Sequence, residues 1–243
     1  MAEKMMYGFP VLKAEEVLPY LKRHGIVPWR KVDATVVLEE HMKRELTPER
    51  RKIAERFAPK TEVLVLENPV NGIVDDFFRA VGKDWATVFA PLPNPDDESD
   101  PLIPLIGEWK HGCDKDGGDE GMTVVPPSGV ATKADLVTQQ PYLAAGKREF
   151  EEETGIELAE VIPLSEHSFP SAGRNQTARA FLFFGVPKIP VVPGPNKLDK
   201  MEHLKGFLLP LSEWRKFLRR YPTGELVSPA ITQLALEHMG RIH

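Results

Sequence analysis

Nine consecutive residues, Arg148-Glu149-Phe150-Glu151-Glu152-Glu153-Thr154-Gly155-Ile156, constrain this chain more than any other stretch. The pattern predicts a helix from about Pro141 to Thr154, closed by Gly155 in the C-terminal position where a left-handed backbone is wanted. At 3.6 residues per turn, Glu149, Glu152 and Glu153 stand at i, i+3 and i+4 and share one face. Like charges so placed repel, and a hard divalent cation that takes oxygen ligands is the natural compensation. Mg²⁺ fits best, because it combines a few carboxylates with water and substrate phosphate oxygens, and Mn²⁺ is the alternative. Arg148 lies four residues before Glu152 and can pair with it or with another acid. Phe150, with Leu143 and Ile156, would anchor the helix to the core and so keep the ligands on a rigid element.

This string resembles the core of the Nudix hydrolase signature. Arg148, Glu149, Phe150, Glu152, Glu153, Gly155 and Ile156 match every specified position of its second half. The first half departs from it: Gly129 is followed after five residues by Asp135 where the family has glutamate, and twelve residues instead of seven then precede Arg148. A five-residue insertion between Asp135 and the helix is the economical explanation. Pro127-Ser128-Gly129 is similar to the family's proline-glycine turn, where a backbone carbonyl can join the metal shell and Gly129 would face substrate. Ser168-Phe169-Pro170-Ser171-Ala172-Gly173 is similar to the serine-proline-glycine loop of Nudix enzymes acting on ADP-ribose and nucleotide sugars, which implies substrate contacts from Ser171, Gly173 and Arg174. Arg174, Asn175 and Gln176 follow that glycine where an acid often stands, so the base is left among Glu166, Glu202 and a glutamate of the helix.

The resemblance implies an α/β (α+β) fold, a Nudix-like α/β/α sandwich with a mixed sheet over residues 61–243, preceded by a mostly helical N-terminal extension over 1–60. It implies that Arg148, Glu149, Glu152 and Glu153 form the catalytic set, with Glu149 and Glu153 as direct metal ligands and Glu152 completing the shell or binding a second ion. The expected reaction is Mg²⁺-dependent hydrolysis of a pyrophosphate bond in a nucleoside diphosphate linked to another moiety, ADP-ribose or a nucleotide sugar. A homodimer through the N-terminal region would be in keeping with that subgroup. The rival reading is a catalytically weak Nudix-like module that binds a nucleotide without turning it over. A third is an acidic helix used as a protein-interaction face.

Composition narrows the partners. With 31 basic and 36 acidic residues and a formal charge of -5, the chain lacks the basic surface that neutralises nucleic-acid phosphates, so a small nucleotide is the expected partner and free nucleic acid is not. The single cysteine, Cys113, allows no intrachain disulfide and points to a reducing, cytoplasmic setting. No stretch approaches the ~18 apolar residues of a membrane span, and Met1 to Met6 lacks a signal peptide's apolar segment. At 243 residues and 42% apolar composition, a sizeable core is expected.

Helical patterns run from Lys13 to His24 and from Thr47 to Phe57, the second opened by Thr47-Pro48-Glu49. Strands are expected near 62–67, 85–92, 102–109, 122–125, 157–163, 177–185 and 203–209, and helices near 212–220 and 228–239. Other motifs carry less. Asp114 to Asp119 has its glycine too early for a calcium loop and no closing glutamate. His111 and Cys113 find no second pair at zinc spacing, and His41, His203 and His238 stand without paired ligands. Gly146-Lys147 lacks the neighbours of a phosphate-binding loop, and no Gly-x-Ser-x-Gly elbow is present.

Overall fold

A computed structural model describes residues 4–26, 47–48, 60–67, 74–109, 122–170, 177–195, 204–221 and 227–240. The strands are β1 (Met5–Met6), β2 (Phe9–Pro10), β3 (Lys60–Glu67), β4 (Val74–Val81), β5 (Trp85–Phe89), β6 (Leu102–Trp109), β7 (Met122–Val125), β8 (Ser128–Val130), β9 (Leu158–Pro163), β10 (Phe169–Pro170), β11 (Arg179–Pro187) and β12 (Leu204–Pro210). The helices are α1 (Val17–Arg23), α2 (Lys133–Leu136), α3 (Pro141–Thr154), α4 (Leu211–Arg220) and α5 (Val227–His238). The chain divides into two compact units, one of Met1–Trp29, Asp84–Phe169 and Arg179–His243, the other of Arg30–Lys83 and Pro170–Ala178. In the second, β3 and β4 form an antiparallel hairpin in register from Lys60 opposite Val81 to Glu67 opposite Val74.

The larger unit is built around a mixed sheet. β11 runs parallel to β5, while β9 is antiparallel to β11 and β8 antiparallel to β5. Because side chains alternate along a strand, the central strands feed two cores. Ala86, Val88, Ala90, Phe181 and Phe183 pack with Ala145, Phe150 and Ile156 of the α3 region. Phe89, Ala180 and Leu182 pack with Ile231, Ala235 and Leu236 of α5. The sheet is therefore covered on both faces, and such central strands read as near-continuous apolar runs, as Trp85 to Phe89 and Ala180 to Phe184 do. A second sheet, β12-β6-β7, is antiparallel throughout and carries α4 against β12 and β6.

The expected α3 is present over its full span, with Gly155 at φ 68°. It lies close on β5 because Gly146 leaves room: a Cβ there would come within 3.1 Å of Val88 Cγ2. The helical pattern at Lys13 to His24 becomes a 3-10 turn at Ala14–Glu16 followed by α1, whose Val17, Tyr20 and Leu21 are buried in one cluster with Ile103, Phe207 and Trp214. The β1-β2 hairpin ahead of it turns through Tyr7 (φ 51°) and Gly8 (φ 79°), and was not expected from the sequence. The helix expected from Thr47 to Phe57 lies almost wholly outside the described residues, as do the loop at 111–121, Cys113, His111, His41 and His203. Among the described residues, no helix is long and apolar enough to cross a membrane.

Candidate functional site

The site is built where β8 passes under the C-terminal half of α3. β8 is held beside β5 with Ala86 opposite Gly129 and Thr87 opposite Ser128. Val88 N–H and the Thr87 hydroxyl both donate to Pro127 O, at 3.1 Å each, which seats the turn before it. The expected turn at Pro127-Ser128-Gly129 runs on as a strand from Ser128 to Val130, because that strand satisfies the otherwise open edge of β5.

Onto this strand come two carboxylates from consecutive turns of α3. Glu153, only 7% exposed, accepts Ser128 N–H at 3.1 Å through Oε2. Glu149 lies against Gly129 so closely that a Cβ at that position would sit 2.1 Å from the Glu149 carboxyl carbon. Gly129 thus leaves room for the Glu149 carboxylate in its present position, and a side chain there would make that carboxylate shift. Glu152 stands further out, with 35% of its side chain exposed, and is bound by Arg148 Nη1 at 2.8 Å.

Arg148 is the hub of the charge arrangement. Its Nη1 also reaches Glu149 Oε1 at 2.9 Å, its Nη2 donates to Asp135 Oδ2 at 3.0 Å and to Val130 O at 3.1 Å, and its Nε donates to Asp135 Oδ2 at 3.2 Å. Burial disfavours its charged form, but the surrounding acids, Asp135 first, outweigh that and keep it firmly protonated. Asp135 is itself drawn in from two sides. Thr132 N–H donates to Oδ2 at 2.8 Å while Asp135 N–H donates to Thr132 Oγ1 at 3.3 Å, a capping box at the start of α2, and the Thr132 hydroxyl adds a bond to Oδ2 at 2.7 Å. Burial pushes the Asp135 carboxyl up, and the bonds from Arg148 and Thr132 more than reverse this, holding it below the usual carboxylate range.

The five extra residues, 136–140, close α2 and lead into Pro141 with no effect on the spacing of the carboxylates on α3. Asp135 in this way stays within reach of Arg148 despite a longer connection. Thr132 was missed by sequence reasoning, although Thr132-x-x-Asp135 carries the capping-box pattern; Ser128 was missed because its contribution is a backbone N–H. Of the base candidates, Glu166 lies elsewhere. It lines a cavity of about 250 Å³ with Tyr142, Leu143 and Phe181 at the other end of α3. At ~1.5 Å rise per residue that end is roughly 16 Å from Glu153. Glu202, Ser171, Gly173 and Arg174 fall outside the described residues.

The donor set suits a hard cation, since Glu149 and Glu153 offer carboxylate oxygens from one helix face. Among the described residues, no three Asp, Glu, His or Cys side chains converge closely enough to hold a metal ion as they stand. Arg148 Nη1 bridges Glu149 and Glu152, at 2.9 and 2.8 Å.

No family model matches this chain, and no curated protein does. Among solved structures it is similar to one described as an ADP compounds hydrolase, with a TM-score of 0.53 and 16% identity, covering 75% of this chain and 95% of that one. At that identity the likeness is one of fold: a mixed α+β architecture shared over most of both chains.

Proposed function

We propose that this chain is a Nudix-type pyrophosphohydrolase that uses Mg²⁺, or Mn²⁺, to hydrolyse a nucleoside diphosphate linked to another moiety, with ADP-ribose or a nucleotide sugar as substrate. The observation that carries this reading is the convergence of Glu149 and Glu153 on Ser128–Gly129 from successive turns of a helix anchored by Phe150. The shared fold with an ADP compounds hydrolase supports it. In this scheme Glu149 and Glu153 hold the metal, and Arg148 fixes Glu152 for the outer part of the shell. The metal, when bound, neutralises charge on phosphate oxygens and lowers the pKa of an attacking water. Ser128 N–H orients Glu153, and Asp135 orients Arg148, so each carboxylate has a fixed direction before substrate arrives. A homodimer and a cytoplasmic setting belong to the same proposal.

The test is Glu153→Gln, which keeps side-chain size and removes the charge. Monophosphate release from ADP-ribose or a UDP-sugar with Mg²⁺ should fall by more than the roughly 100-fold reached when outer-shell partners are lost. Undiminished turnover would sink the assignment. The rival, a module that binds nucleotide without hydrolysing it, is favoured by one observation: Arg148 occupies the space between Glu149 and Glu152. Thermal stabilisation by ADP-ribose with no monophosphate formed by the wild type would select that rival.

A further inference from the structure

A sizeable cavity lies away from the carboxylate cluster. It has a volume of about 360 Å³ and lies between the β1-β2 hairpin, α1 and the start of β12, touching Thr154 at the end of α3. That volume falls in the roughly 300–1,000 Å³ range of small-molecule sites, whereas the cavity at Glu166 does not reach it. None of Ser128, Gly129, Arg148, Glu149, Glu152 and Glu153 lines it.

Its lining has two chemical parts. The inner part is aromatic: Phe9 and Tyr20 are 9% and 2% exposed, and the Tyr20 ring lies 4.2 Å from the His24 ring. Phe9 rests directly on Gly206, where a Cβ would meet its Cε1 at 2.6 Å, so the strand backbone is pared down to seat the ring. The outer part is cationic and polar. Lys205 and His24 both line the cavity, and Lys205 has no ion-pair partner among the described residues. The His24 ring already uses Nδ1 at 2.8 Å from Tyr20 O, which holds that imidazole in a fixed orientation at the rim.

An aromatic interior beneath a lysine and an imidazole is the chemistry that receives a planar ring bearing an anionic group. We infer that this cavity, formed by Phe9, Tyr20, His24 and Lys205, is a second ligand site that takes a nucleoside monophosphate, with the base among the rings and the phosphate at Lys205. Its wall is joined to α3. Gly194 N–H donates to Gly155 O at 2.7 Å, and Gly155 ends α3 two residues beyond Glu153. Occupancy is thereby placed in backbone contact with the end of α3.

The experiment is calorimetric titration of the full chain with AMP in the absence of divalent cations. Lys205→Gln should weaken AMP binding tenfold or more, Lys205→Arg should restore it to within threefold, and Glu153→Gln should leave it unchanged. Equal affinity in wild type and Lys205→Gln would overturn the site. A change of AMP affinity in either direction in Glu153→Gln would overturn it as well, by moving the ligand to the carboxylate cluster. Inorganic phosphate binding as tightly as AMP would overturn the role of the rings. The proposal stands apart from hydrolysis: an inactive protein that binds AMP through Lys205 supports it, and an active one that does not refutes it.

Discussion

The two ends of α3 are fastened to the larger unit by different physics. At the C-terminal end four glutamates crowd the last turns, three of them, Glu149, Glu152 and Glu153, on one face, where the helix dipole already disfavours anions. The chain answers with a cation and an amide: Arg148 spans Asp135, Glu149 and Glu152, and Ser128 N–H serves Glu153. At the N-terminal end no side chain caps the helix and the first turn holds no acid. There Tyr142 stacks on Phe181 with ring centroids 3.7 Å apart and donates its hydroxyl to Asp84 at 3.0 Å, and Asp84 also accepts Arg179 N–H at 2.9 Å. The difference shows that an acidic face is affordable on a helix only where the opposing strand and a neighbouring cation are built to receive it.

The apolar anchor beneath the acidic end should be the most sensitive point. Phe150 is fully buried, and its neighbours on β5 and β11 belong to sheet positions that cannot collapse easily into a void. Phe150→Ala should cost about 3–5 kcal/mol in denaturant unfolding. A loss under ~1 kcal/mol would mean that the ionic contacts alone hold this end. Gly129→Ala comes next. Its Cβ would displace the Glu149 carboxylate, and a displacement of about 1 Å can cost roughly 100-fold in rate. Hydrolysis of ADP-ribose should fall on that scale while the melting temperature moves by only a few degrees, and normal turnover would show that Glu149 need not lie where it does.

Asp135→Asn should cost about 2 kcal/mol, the range for hydrogen bonds to a charged group. Its pH dependence has a definite sign. The folded carboxyl is held below its unfolded value of about 3.9, so its contribution is complete above about pH 4 and disappears as pH falls through the folded value. The stability gap between wild type and Asp135→Asn should therefore close in acid. A gap that stays constant down to about pH 2 would show that Asp135 acts through shape and not charge.

The helix-borne half of this site was legible because period fixes it: spacing alone put Glu149 and Glu153 on one face, Phe150 on the other and Gly155 at the end. The strands 102–109 and 122–125 were legible for a similar reason, as short apolar runs bounded by polar loops. What the sequence hid was set by pairing across distance. β8 reads as a turn until β5 is beside it, and the use of glycine at 129 appears only when Glu149 arrives from a residue twenty positions on. The β1-β2 hairpin is two residues a side, too short for alternation to show. Asp84 is an isolated acid in the sequence, and only the fold brings Tyr142 and Arg179 to it.

The N-terminal end of α3 supplies the smallest effect and the cleanest contrast. Tyr142→Phe removes one hydroxyl and keeps the stacked ring, so it should cost about 1 kcal/mol and leave hydrolysis intact. Its pH profile should run opposite to that of Asp135. Burial and the bond to Asp84 raise the Tyr142 hydroxyl above its ordinary value, so the stability it contributes is whole below about pH 10 and is lost as pH rises through the folded value. Thermal denaturation from about pH 2 to about pH 11 should then separate the two ends of one helix, Asp135→Asn losing its penalty in acid and Tyr142→Phe losing its penalty in alkali. If both penalties faded together at the same pH, the two ends would be responding to a single opening of α3, and their independence would be refuted.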